Sequence, residues 1–230
     1  FQWNEIKKKT FLLILLSFLS ALIYWKIITL NLVGNEIQNG VGWPSIISPF
    51  LFIVLYKLNE KLTDYSWIIG LMMAICIGIF FGAISGFFEK GADGLIIQAL
   101  LTTFGSVFSI IFLYKNKFII VNNKFLHFTA FIFSTLIWVV TADFILSFIA
   151  LGWHSFFAGV SPIAIGLNTI IILLAYLVFT IDLNIIDEKI NIGSVSKNQT
   201  WAFSIELLID VGWIYFAVIF LILRLRGRNN

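Results

Sequence analysis

The sequence predicts an all-α membrane protein of seven transmembrane helices, a single domain spanning residues 1–230. Three observations carry this. The chain is 60% hydrophobic and only 12% charged, whereas a soluble domain carries about 25% charged residues. Apolar runs of helical length alternate with short polar segments from end to end, and a spanning helix needs about 20 mainly apolar residues. There are only three prolines and no apolar/polar alternation of period two, so the spans are helices rather than barrel strands.

The first run, residues 10–33, follows Lys7, Lys8 and Lys9. It is too long for a signal peptide and no small-x-small cleavage site follows it, so it reads as a retained helix. Its Lys26 snorkels to the far interface or pairs with a buried acid. The second run, 43–57, is short and holds Pro44 and Pro49. Proline is tolerated in a helix's first turn and kinks it later. Lys57, Glu60, Lys61 and Asp64 close it.

The third run, 66–88, places Gly70, Ala74, Gly78, Gly82 and Gly86 at every fourth position. Such a stripe lets another helix approach closely, which is how helices associate in lipid. Glu89, Lys90 and Asp93 follow. The fourth run, 95–114, ends in a basic loop of Lys115, Lys117 and Lys124. The fifth, 128–151, contains Asp143, read as a structural hydrogen-bonding group, a partner of Lys26 or part of a solute path. Among the loop residues before the sixth run, His154 reads as solvated. Pro162 opens that run, an acceptable first helical residue, and the run ends near Leu183 with Asp182 inside it. The seventh, 203–225, carries Asp210 within its apolar stretch and Glu206 one turn earlier on the same face.

Basic residues belong on the cytoplasmic side. With the amino terminus inside, the inner segments hold Lys7, Lys8, Lys9, Lys57, Lys61, Lys115, Lys117, Lys124, Lys189 and Lys197, and the outer loops only Lys90. Seven crossings leave Arg224, Arg226 and Arg228 outside, against the rule. On this topology the sixth helix runs inward to Asp182. The seventh rises about 10 Å from Phe203 to Asp210, so both acids belong to the cytoplasmic half.

An ionised carboxylate in hydrocarbon costs roughly 2.5–3.5 kcal/mol on insertion scales, so such a residue faces a protein interior or a water-filled cavity. If Asp182 and Asp210 share a low-dielectric site, they cannot both ionise easily and titrate as a pair. The deprotonated pair repels itself and attracts a cation; the protonated pair is neutral and closes. The bland alternative is two separately hydrogen-bonded buried acids. Calcium wants six to eight oxygens, so two carboxylates make a weak metal site. That suits a permeation path, which an ion must also leave.

Other chemistry finds little support. There is no HExxH, GxSxG or phosphate loop, and Val211-Gly212 after Asp210 fits a paired-aspartate intramembrane protease poorly. The chain therefore reads as not an enzyme and as carrying no cofactor beyond transient calcium. The lysines lie in loops and argue for no nucleic-acid partner. Cys76, the one cysteine, has no internal disulfide partner.

Several stretches carry a family likeness in their order and spacing: WNEIKKKTFLLILLSFLSALIYW, FFEKGADGLIIQALLTTFGSVFSIIFLYKNK, SPIAIGLNTIIILLAYLVFTIDLNIID and ELLIDVGWIYFAVIFLILRL. Together they resemble the Bax inhibitor-1 family, in its bacterial YccA-like branch, over nearly the whole chain. The second stretch matches through Glu89, Gly94, Gln98, Ala99, Thr103 and Phe104. The resemblance implies two three-helix layers around a central carboxyl-terminal helix in a bacterial cytoplasmic membrane. It also implies a pH-dependent calcium leak with Asp182 and Asp210 at the sensor positions. In the family an arginine of the second helix can latch a sensor aspartate. No arginine precedes Arg224 here, and Lys57 or Lys61 as a substitute lacks the bidentate fork. Ile181-Asp182-Leu183-Asn184 departs from the family's Tyr-Asp-Thr-Gln-like context, and Glu206 adds acidity.

Three functions compete. One is a pH-gated cation leak, with calcium and protons as its ligands. The second is a regulatory membrane protein that binds a membrane protease or stress factor without transport. The third is a proton-coupled transporter of a small solute, reached through Asp143.

Overall fold

The structure, a computed structural model, describes residues 2–29, 43–89, 94–149, 159–193 and 195–229. These form seven helices: α1 (Gln2–Thr29), α2 (Trp43–Lys61), α3 (Ser66–Glu89), α4 (Leu95–Lys115), α5 (Asn123–Ile149), α6 (Pro162–Asn191) and α7 (Lys197–Asn229). A 3₁₀ turn, Thr63–Tyr65, joins α2 to α3. There is no strand among the described residues. Lys90, His154 and the Glu89 side chain lie outside them.

Six helices are long and apolar enough to cross a membrane. The exception is α2, whose 19 residues include Pro44, Pro49, Lys57, Glu60 and Lys61. The composition thus supports an all-α membrane protein with six candidate spans rather than seven.

α5 and α7 start ahead of their apolar stretches because capping groups, not hydrophobicity, set their starts. α5 starts at Asn123, since Asn122 Oδ1 accepts from the Phe125 amide at 2.9 Å. Ser161 caps α6 through the Ala164 amide at 3.1 Å, ahead of Pro162. α7 opens in a reciprocal capping box: Gln199 N donates to Ser196 Oγ at 3.2 Å and Ser196 N to Gln199 Oε1 at 2.7 Å. α1 begins at Gln2, with Glu5 and Lys9 paired one turn apart at 3.6 Å.

The chain divides into two compact units. The first holds residues 1–96 and 185–212. Its core joins Leu13 of α1, Leu55 of α2, Met73 and Ala74 of α3, and Ile205 and Leu208 of α7. The glycine stripe of α3 is the closest seam. A Cβ on Gly78 would overlap Ser20 Oγ and the Ser17 carbonyl of α1, and one on Gly82 would lie 2.5 Å from the Ala21 carbonyl. Gly70 instead faces α7, where a Cβ would sit 3.1 Å from Ile205 Cδ1. Ala74 and Gly86 are buried in the same helix.

Polar contacts gather at one end of this unit. Gln2 Nε2 donates to the Val195 carbonyl at 2.9 Å, and Trp3 Nε1 donates to Asp187 Oδ1. Asn198 Nδ2 donates to Asp64 Oδ1 at 2.9 Å. The starts of α1 and α7, the end of α6 and the α2–α3 turn therefore share that end. Tyr24, late in α1, stands beside Ser45, early in α2. α2 thus runs back toward the polar end of the unit, packed on α3.

The second unit holds residues 97–184 and 213–230. Here Asn168 of α6, 4% exposed, donates to the Ala217 carbonyl of α7 at 2.9 Å. A side-chain amide bonded across two apolar helices is the polar link expected between spans.

Candidate functional site

The acids inside the spans are the candidates, and each sits where its helix's packing puts it. Asp210 is 6% exposed, on the α7 face that also buries Leu207, Val211 and Ile214. The next turn is pressed against α3: Phe81 Cε2 lies 3.2 Å from where a Cβ on Gly212 would be. Ile205 and Leu208 of this stretch join the first unit's core, whereas Asp210 is buried on the other face of the helix, about 160° round from Leu208 by the helical repeat. Glu206, four residues earlier, is half-buried.

Asp182 belongs to the second unit. It is half-buried, between Phe179 and Thr180 on one side and Leu183 on the other, all three buried. The end of α4 reaches the same turn of α6, where Tyr114 Oη stands 3.4 Å from Asn184 Oδ1. Asp143 of α5 is 5% exposed, and its carbonyl accepts from Ser147 Oγ at 2.7 Å. Among the described residues no group of three or more His, Cys, Asp or Glu is arranged to hold a metal.

Lys57 pairs with Glu60 on its own helix at 3.6 Å, and both side chains are largely exposed, at 68% and 53%. Lys61 is exposed as well. The more enclosed cation of the first unit is one that sequence reasoning counted only as a topology signal. Lys9, 11% exposed in its side chain, donates to Thr200 Oγ1 at 2.6 Å and lies 4.9 Å from the Trp201 ring centre. Its position as the last lysine before the apolar run was the available sign. Nearby, Asn198 Nδ2 donates to Asp64 Oδ1, so the start of α7 is held from two sides.

The carboxyl-terminal arginines are also more than topology signals. Arg224 Nη1 donates to the Ala164 carbonyl at 2.8 Å, and Arg226 Nη2 to Gln98 Oε1 at 2.9 Å. Both bonds fasten the end of α7 within the second unit. Replacing Arg224 removes a charge-assisted bond worth about 1.5–3 kcal/mol. Arg224→Ala is therefore expected to lower thermal stability in detergent clearly. Arg228→Ala, at an exposed position, should change it by no more than about 0.5 kcal/mol.

Compared with known proteins, residues 3–227 match the family model described as Bax inhibitor 1 like. No curated protein and no solved structure matches the chain.

Proposed function

Because the chain belongs to the Bax inhibitor 1 like family, we propose that this integral membrane protein is a pH-sensitive cation leak. Calcium is its preferred cargo, and Asp182 and Asp210 act together as its proton sensor. The observation that carries the reading is the burial of Asp210, 6% exposed, inside a helix apolar enough to span the bilayer. An acid inside a spanning helix is costly to ionise, is held by a protein interior or a water-filled cavity, and marks an ion or proton path by default. Asp182, half-buried in α6, supplies the second carboxylate. The protonation state of the two acids decides whether cations pass. Two carboxylates bind calcium weakly, as a site that must release its ion requires.

The proposed layout has seven crossings, with α2 as the seventh. Its course back from the Tyr24–Ser45 contact to the α2–α3 turn, packed on α3, supports this, although it is the helix that falls short of the other six in apolar length. The amino terminus lies in the cytoplasm of a bacterial cell, and the membrane is the inner one. The polar end of the first unit, with Lys9, Lys189 and Lys197, supports that orientation.

The test is calcium entry into liposomes that carry the purified protein and an enclosed calcium dye, across a pH series through neutrality. Entry is expected above that of empty liposomes and to change with pH. Entry equal to that of empty liposomes at every pH would overturn the reading.

A further inference from the structure

The turn between α4 and α5 has features that a leak does not use. Its backbone closes α4 in a Schellman motif: Phe118 N donates to the Leu113 carbonyl and Lys117 N to the Tyr114 carbonyl, both at 3.0 Å. The residue at the left-handed position of that motif is normally glycine. Here it is Lys117, at φ 58°, the one non-glycine residue with positive φ among the described residues. A residue with a Cβ is disfavoured in this conformation. The motif's usual apolar contact is also weak, since Phe118 is 74% exposed. Ile120, two residues on, is 68% exposed. Lys115 and Lys124 flank the turn, and no acidic residue occurs between Leu95 and Ala142. A turn that joins two candidate spans thus presents two bare apolar side chains among three lysines.

We propose that this turn is a docking surface for anionic phospholipid headgroups, with Lys117 and Lys124 on the lipid phosphates and Phe118 and Ile120 in the acyl boundary. Exposed apolar groups at the end of a span enter that boundary. Lysines beside it attract anionic lipid, each worth about a fivefold gain in affinity. The backbone conformation at Lys117 points the same way: glycine would close the helix at lower cost, but it would bring no charge to the interface.

The experiment measures phosphatidylglycerol binding to the full chain, by native mass spectrometry and in nanodiscs of phosphatidylcholine with and without phosphatidylglycerol. Lys117→Gly keeps the turn, because glycine favours its backbone conformation, and removes the charge. Its stability in pure phosphatidylcholine is expected to equal or exceed that of the parent, with phosphatidylglycerol affinity about fivefold lower. Adding Lys124→Gln should lower affinity about fivefold again, and added salt should narrow the difference. Phosphatidylglycerol affinity unchanged in both variants would overturn the proposal. So would displacement of the lipid by inorganic phosphate at equal concentration. Neither result depends on whether calcium leaks.

Discussion

Asp210→Asn is expected to make calcium entry the same at every pH, with the protein still folded. Asparagine matches aspartate in shape but cannot ionise, an amide NH2 standing in place of one carboxyl oxygen. The site is 6% exposed in a helix apolar enough to span a bilayer, and an ionised aspartate at the centre of a span costs roughly 2.5–3.5 kcal/mol on insertion scales. The neutral amide has no such cost, so the variant should be at least as stable as the parent. In the parent, release of one shared proton changes the ratio of the two states by about tenfold per pH unit. The variant has no such ratio to change. Glu206→Gln, one turn away on α7, should move the midpoint of the response and leave the response itself. A full pH response in Asp210→Asn would remove Asp210 from the sensor.

The largest effect on stability is expected from the α1–α3 seam. Gly78→Ala would place a methyl group onto Ser20 Oγ and the Ser17 backbone, and Gly82→Ala one at 2.5 Å from the Ala21 carbonyl. Backbone cannot swing aside as a flexible side chain can, so the helices must separate along the seam. Overpacking of this kind costs about 1–3 kcal/mol per site. Gly105→Ala is the control: its Cβ would meet nothing within 4 Å, and alanine gains about 0.5–1 kcal/mol over glycine in a helix. Thermal unfolding in one detergent should rank Gly105→Ala at or above the parent and both seam variants well below it. Seam variants as stable as the parent would mean that α1 and α3 do not approach so closely.

The stripe that forms this seam was legible because small residues recur at every fourth position of one run. Its partner was not, since nothing local to residues 66–88 indicates that Ser17 and Ala21 lie opposite. Six spans among the described residues were legible because long apolar runs have few alternatives in a bilayer; the seventh expected span, α2, is a helix but not one apolar enough to count as a span. The ends were less legible. Hydropathy marks where lipid stops, whereas Asn122 and Ser196 mark where α5 and α7 start; the start of α6 at Pro162 was legible. Asp210 and Asp143 stood out because an acid in an apolar run is rare, and both are buried. The links of Arg224 to Ala164, Arg226 to Gln98 and Lys9 to Thr200 were hidden. Each joins residues from separate runs, and a lysine or arginine at the end of a run reads first as a topology signal.

The most direct test of a shared proton sensor is calcium entry against pH for Asp182→Asn, Asp210→Asn and the double variant, side by side. Groups that act as one unit are strongly non-additive. Each single change is expected to remove the pH response, and the double variant to match either one. If each single variant keeps part of the response and only the double variant loses it all, the two acids titrate independently and the paired sensor is wrong.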